Sequence, residues 1–344
     1  MNPLSTEYLG LDLRSPLVAS AGSFTREPES ALRLQECGAA AIVLPSLFEE
    51  EIVNEEVQLN RALEVGAEGF AEALNYFPEV TTFESTADRY LSAIQEMKRR
   101  LDVPVIASLN ATSHGGWMRY ARLVEEAGAD ALELNLYHIA TDPFLSGAAM
   151  EANDLNIIRA LKESIGIPLA VKISPYYTTL ASFAREVIRA GANGLVLFNR
   201  FYQPELDADT REVVPRVELS QRWELRLPVM WTAILRSRLG EEASLAATTG
   251  VHNGIDAAKA LLAGADVAMM TSALLLNGRE HFGTVERELV EWMDANEYES
   301  VGELRGSASY FASDDPSVFE RANYIRTIHS WSAPGSLEHR NPES

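Results

Sequence analysis

Four stretches decide the fold: Glu36-Cys37-Gly38-Ala39 ahead of Ala41-Ile42-Val43-Leu44, Glu126-Ala127-Gly128-Ala129 ahead of Ala131-Leu132-Glu133-Leu134, Ala190-Gly191-Ala192 ahead of Leu195-Val196-Leu197-Phe198, and Ala263-Gly264-Ala265 ahead of Val267-Ala268-Met269-Met270. Each reads as a helix stopped by glycine and followed at once by a short apolar strand. Glycine suits the left-handed position after a helix, and the alanine beyond it lets the turn tuck under the strand. Working outward, proline announces three more strands at Ser15-Pro16-Leu17-Val18-Ala19-Ser20, Val103-Pro104-Val105-Ile106-Ala107-Ser108 and Ile167-Pro168-Leu169-Ala170-Val171-Lys172. Proline at a strand's first residue forfeits no ladder bond. Ala243-Ser244-Leu245-Ala246-Ala247-Thr248 brings the count to eight.

Most of these are continuous apolar runs, the pattern of strands buried on both faces of a parallel sheet. Amphipathic stretches at 116–127, 154–164, 180–190 and 256–263 alternate with them, so the order is β-α throughout. Eight such units close a barrel. The sequence therefore predicts an α/β protein, a (β/α)8 TIM barrel forming one domain over 1–331, with a doubly wound open sheet as the competing fold. Two excursions break the spacing: 48–86 after the second strand, rich in glutamate and expected to be partly helical, and 200–227 after the sixth, where 204–215 reads as a surface hairpin. Both leave from the C-terminal ends of strands, where long loops shape a substrate pocket. Residues 332–344 read as a loose polar tail.

With 344 residues, 47% of them hydrophobic, the chain can bury a large core. Its formal charge of −21 repels nucleic-acid phosphates and anionic lipid headgroups, so neither nucleic acid nor membrane is an expected partner. One cysteine, Cys37, excludes an internal disulfide and a self-ligated iron–sulfur cluster and reads as a small core residue. No signal pattern opens the chain and no run reaches the length of a membrane span. The expected compartment is the cytoplasm.

Chemistry-bearing residues gather at the predicted strand ends. Thr248-Thr249-Gly250-Val251 after the seventh strand and Thr271-Ser272-Ala273 after the eighth stand where such barrels hold phosphate on backbone amides and hydroxyls. They also read as ordinary loop caps. The negative net charge does not forbid a phosphate there, because it is screened over about 8 Å. No Gly-x-Gly-x-x-Gly fingerprint follows any strand, which favours FMN over a dinucleotide. Lys172 ends an otherwise apolar fifth strand, where a lysine is costly unless it meets an anion or a carboxylate. Asn110, Asn135 and Asn199 stand at the ends of the third, fourth and sixth strands. Together they suit a planar, amide-rich ring, whereas any one alone reads as a turn residue. Arg200 reads either as a fork for a substrate carboxylate or as a cap on the hairpin.

The ordered set Val18-Ala19-Ser20-Ala21-Gly22, Glu133-Leu134-Asn135-Leu136, Ala170-Val171-Lys172-Ile173-Ser174-Pro175-Tyr176-Tyr177, Phe198-Asn199, Thr249-Gly250-Val251 with Asp256-Ala257, and Thr271-Ser272-Ala273-Leu274 resembles the dihydroorotate dehydrogenases over nearly the whole chain. The resemblance implies FMN, with Ala21, Gly22, Ser108, Asn110, Asn135 and Lys172 near its ring and ribityl chain, and Thr249, Gly250, Thr271 and Ser272 at its phosphate. It implies a substrate such as dihydroorotate, a role in pyrimidine synthesis, and a homodimer; Asn135, Asn199 and Arg200 are the residues expected to hold the substrate. The electron acceptor, a soluble molecule or a partner subunit, is not legible. Where the cytosolic class continues Ser-Cys-Pro-Asn after the fourth strand, this chain has Tyr137-His138-Ile139-Ala140, so the cysteine base is replaced by His138 and a substrate asparagine by Ala140. Leu44-Pro45-Ser46 stands where that class carries a lysine, and Ala73-Leu74-Asn75-Tyr76-Phe77-Pro78-Glu79 matches its substrate segment only loosely. The expectation is an FMN-dependent oxidoreductase whose flavin half is retained and whose substrate half is rebuilt. An enzyme acting on another small ring and a non-catalytic flavin binder are the alternatives.

Overall fold

A computed structural model of the chain describes residues 2–51, 85–110 and 117–330. Eight parallel strands follow one another around a barrel: β1 (Leu17–Ala19), β2 (Ile42–Val43), β3 (Val105–Asn110), β4 (Ala131–Asn135), β5 (Leu169–Ile173), β6 (Gly194–Leu197), β7 (Ser244–Ala247) and β8 (Val267–Met270), and β8 pairs back onto β1. Each falls within or across a predicted strand. Outside them pack α1 (Pro28–Glu36), α2 (Thr86–Arg100), α3 (Trp117–Glu126), α4 (Gly147–Ser164), α5 (Leu180–Arg189), α6 (Arg226–Leu239) and α7 (Gly254–Ala263). The glycines that stop four of the predicted helices, Gly38, Gly128, Gly191 and Gly264, have φ of +121°, +98°, +111° and +110°, the left-handed turn their position requires.

The strands alternate between two buried layers. On β3, Val105, Ala107 and Leu109 face the helices, whereas Ile106 faces the barrel axis beside Val18, Val43, Ala131, Ala170, Val196, Ala246 and Val267. The period of two in a strand then puts Ser108 and Asn110, Glu133 and Asn135, and Lys172 on the axial face as well. The small axial residues near the strand starts leave a floor that needs filling. A hairpin the sequence did not reveal, Thr6–Tyr8 paired with Leu11–Leu13, fills it with Tyr8, Leu9 and Leu13. Its two-residue turn is Leu9-Gly10, at φ +57° and +77°, in place of the Asn-Gly that usually marks such turns. A leucine held there costs about 1 kcal/mol, and burying its side chain in the floor returns about 2 kcal/mol.

The excursion after β6 contains the predicted hairpin, Glu205–Asp207 against Glu212–Val214. The excursion after β2 begins with a short strand, Leu47–Phe48, added to the end of β3. The rest of 48–86 and the tail lie mostly or wholly outside the described residues, as does the Ala73–Glu79 segment. Helix α4 starts earlier than its apolar pattern suggested, because the Ser146 side chain caps it by accepting from the Ala149 amide.

Beneath the β7–β8 edge lies the most extensive buried ion cluster among the described residues. Arg236, 5% exposed, donates from Nε to Gly264 O (2.8 Å), from Nη1 to Gly240 O (2.8 Å) and Ala243 O (3.2 Å), and from Nη2 to Asp266 Oδ2 (2.6 Å). Asp266 also accepts from the Leu245 amide at 2.6 Å and from Arg305. One arginine thus ties the end of α6, the turn after α7 and the start of β8 together. We expect Arg236→Met to cost about 3 kcal/mol, since it strands buried carbonyls and half of a buried ion pair, and Arg305→Met to cost under about 1 kcal/mol. Denaturant unfolding of both variants checks this; equal losses would overturn it.

Candidate active site

Strand register assembles the site. Asn110 pairs with Asn135 across β3 and β4, and Asn135 with Lys172 across β4 and β5, so three polar side chains stand in one row at the C-terminal mouth. Asn110 is buried, and Asn135 Oδ1 is buried without a hydrogen-bond partner. An unpaired buried acceptor is costly, and here it stands at an opening where a ligand could satisfy it. One layer below, Ser108 pairs in register with Glu133. Ser108 is fully buried and shares a 2.7 Å hydrogen bond with the Ser46 hydroxyl, so it lies under the row. Tyr90 from α2 fixes this stretch, receiving the Ser108 amide at 2.8 Å and donating to Ser108 O at 3.1 Å. Burial pushes its phenol well above the usual value.

The turns after β1, β7 and β8 converge opposite. Thr271 Oγ1 donates to Ser20 O (3.0 Å) and Ala21 O (3.3 Å), and a β-carbon on Gly22 would come 2.6 Å from Thr271 Cγ2. Thr249 and Gly250 both have positive φ, +76° and +84°, and a β-carbon on Gly250 would sit 2.6 Å from the Leu225 amide nitrogen. The residues that crowd it belong to the excursion after β6. Ser220 of that excursion receives the Gly250 amide on its Oγ (3.3 Å) and donates its own amide to Ser272 Oγ (3.0 Å). Sequence reading missed Ser220, because nothing in a loop serine announces which turns it will bridge.

The remaining candidates point elsewhere. Asn199 Nδ2 donates to Leu136 O (2.8 Å) and Lys172 O (3.2 Å), so its amide group braces the ends of β4 and β5. Arg200 Nε donates to Glu224 Oε1 at 3.1 Å, and its Nη1 reaches Glu218 O. In this conformation its guanidinium holds the excursion. His138 Nε2 lies 3.0 Å from Oδ1 of Asp154, a fully buried residue of α4 that also accepts from Tyr177 Oη at 3.4 Å. The bond to Asp154 holds the imidazole above its ordinary value, against the opposing effect of burial. Burial, reinforced by Asp154, raises the Tyr177 phenol in turn. His138 lines a pocket of about 370 Å³ between the ends of β4, β5 and β6, with Tyr176, Tyr177, Phe201 and Glu151 among its walls. Phe201 stacks on Tyr137 at 4.6 Å and meets Tyr176 edge-on at 5.2 Å. Asp154 is the partner that sequence could not supply, because it is separated from His138 by a loop and two helical turns.

Comparison with known proteins identifies the family. The family profile described as dihydroorotate dehydrogenase matches residues 3–293. The catalytic subunit of dihydroorotate dehydrogenase B (NAD(+)) from Thermoplasma acidophilum is 25% identical over 316 residues, covering 90% of this chain and 99% of that protein. Its counterpart from Thermoplasma volcanium is 26% identical over 327 residues, with coverages of 90% and 99%. The chloroplastic dihydropyrimidine dehydrogenase (NADP(+)) of Arabidopsis thaliana is 24% identical over 335 residues, with coverages of 90% and 78%. Because the match spans all eight strands of the barrel, the chain belongs to the dihydroorotate dehydrogenase family, flavin-dependent oxidoreductases acting on CH–CH groups.

Proposed function

We propose that the chain binds FMN in the barrel mouth and oxidises a small cyclic amide of the dihydropyrimidine class, dihydroorotate or a related ring. The observation that carries this reading is the row Asn110, Asn135 and Lys172, with its buried, unpartnered Asn135 Oδ1. The residues present fit the cofactor. The buried Asn135 amide oxygen and the Lys172 ammonium stand in one row on the axial face, Gly22 packs closely against the Thr271 turn, and Gly250 and Ser272 meet over Ser220. Ala21, Gly22, Asn110, Asn135 and Lys172 would hold the ring side, with Ser108 supporting from beneath, and Thr249, Gly250, Thr271 and Ser272 the phosphate. FMN, when bound, supplies a two-electron acceptor for a hydride from the substrate.

Lys172 offers a positive charge where negative charge develops, and only such differential stabilisation accelerates a step. The proton left behind as the CH–CH bond becomes C=C goes to a base, and His138 holds the family's base position. With Nε2–H donated to Asp154, Nδ1 is the nitrogen that accepts it. Asn199 braces the strand ends beside the substrate, and Arg200 would have to exchange Glu224 for a substrate carboxylate to serve as a fork. The aromatic walls beside His138, and Ala140 in place of an asparagine, support a substrate other than dihydroorotate.

Protein purified and saturated with flavin should release FMN on denaturation, identified by chromatography; FAD, or no flavin after saturation, would overturn the assignment. Lys172→Ala should keep the fold and slow flavin reduction by a factor set by roughly 3 kcal/mol, measured by stopped-flow absorbance with the best dihydropyrimidine; a wild-type rate removes Lys172 from the mechanism. The third test concerns His138. A base works unprotonated, and a histidine with a raised value stays protonated to higher pH, so the rate of flavin reduction should climb with pH through a value above the ordinary one of about 6.5. Asp154→Asn should move that limb to lower pH. No ionisation in this range, or an undiminished rate in His138→Gln, would exclude His138.

A further inference from the structure

Glu133 stands one layer beneath the mouth row. It lies on β4 two residues before Asn135, is 1% exposed, and pairs in register with Ser108 and Ala170. Its Oε1 is buried and accepts no hydrogen bond. The same oxygen is 3.6 Å from Lys172 Nζ, an ion pair just beyond hydrogen-bond reach, and Glu133 is the only ion-pair partner of Lys172 among the described residues. Beneath it the Tyr8 hydroxyl of the floor hairpin is also buried and unpartnered, and its phenol is raised by burial and then by the charges of Glu133 and Asp266. No donor disperses the charge on Oε1, and little water reaches it. In such surroundings a carboxylate is felt several ångströms away.

A lone lysine would place a full positive charge at the mouth. The observed arrangement is a dipole, with the ammonium uppermost, its side chain 13% exposed, and the carboxylate one layer down. We propose that Glu133 is a positioning residue that acts through Lys172: it anchors the ammonium under the mouth and offsets its charge, setting the reduction potential of the flavin below the value a lone lysine would give. This rests on the FMN assignment. It explains why a fully buried carboxylate stands beside the one lysine of the axial row, since a buried pair is seldom kept for stability alone.

The test is the two-electron potential of bound FMN. Titration of the wild type with FMN comes first, and failure to bind overturns the assignment and this inference with it. In a wild type that binds, Glu133→Gln removes the charge and keeps the shape. The ratio of affinities for reduced over oxidised FMN should rise at least tenfold, which is about 30 mV upward for a two-electron couple, and Glu133→Asp should restore most of the wild-type value. An unchanged or lowered potential in Glu133→Gln, with FMN bound, overturns the inference and leaves the assignment standing. Should Glu133→Gln fail to hold FMN, Lys172→Met is compared with the double variant Lys172→Met/Glu133→Gln. A higher potential in the double variant supports the charge effect, and equal potentials overturn it.

Discussion

The register among β3, β4 and β5 is the constraint on which the site depends. Side chains alternate with a period of two, so a slip of one residue would turn Asn110, Asn135 and Lys172 onto the helix-facing layer and put aliphatic side chains in the mouth. Both faces of these strands are buried, and the two layers differ in size. Leucine and valine pack under the helices, while alanine and valine line the narrow axis. Only one register fits both, so core packing places the polar row without any dedicated loop. The hairpin that plugs the floor completes this by keeping water from the opposite end.

The same economy governs the buried charges. Arg236 and Asp266 sit where strand starts and helix ends expose carbonyls, and every guanidinium nitrogen has a partner. That cluster answers to stability. Glu133 and Lys172 are arranged differently, with an oxygen left unpaired and an ammonium turned to the opening. Full satisfaction marks a structural ion pair; the unsatisfied one points to a ligand.

The two halves of the mouth have different characters. The β1, β7 and β8 turns are held by hydroxyls and close backbone contacts, consistent with one fixed guest. The rim over β4, β5 and β6 is aromatic and carries His138 on a buried carboxylate of α4. A partly buried imidazole there needs a partner for its inner nitrogen. Asp154 supplies it on the helix side and itself accepts from Tyr177.

The sequence by itself determined the barrel. Eight apolar runs and four glycine-stopped helices are local signals, and closure follows from their number. It also singled out Asn110, Asn135 and Lys172, because a lysine or asparagine ending an apolar strand is conspicuous in one dimension, but it grouped Asn199 with them, whose amide instead braces the ends of β4 and β5. What only tertiary structure decided is which polar groups find each other. The Leu9-Gly10 turn is paid for by burial in a floor built from eight separate strands, so its local sequence gives no sign of it. Asp154 behind His138, Glu224 on Arg200 and Ser220 between two turns are pairings across sequence gaps of 16, 24 and 30 or more residues. Hydrogen bonds act over about 3 Å, and that proximity exists only once the strands have closed and set every loop over a common mouth.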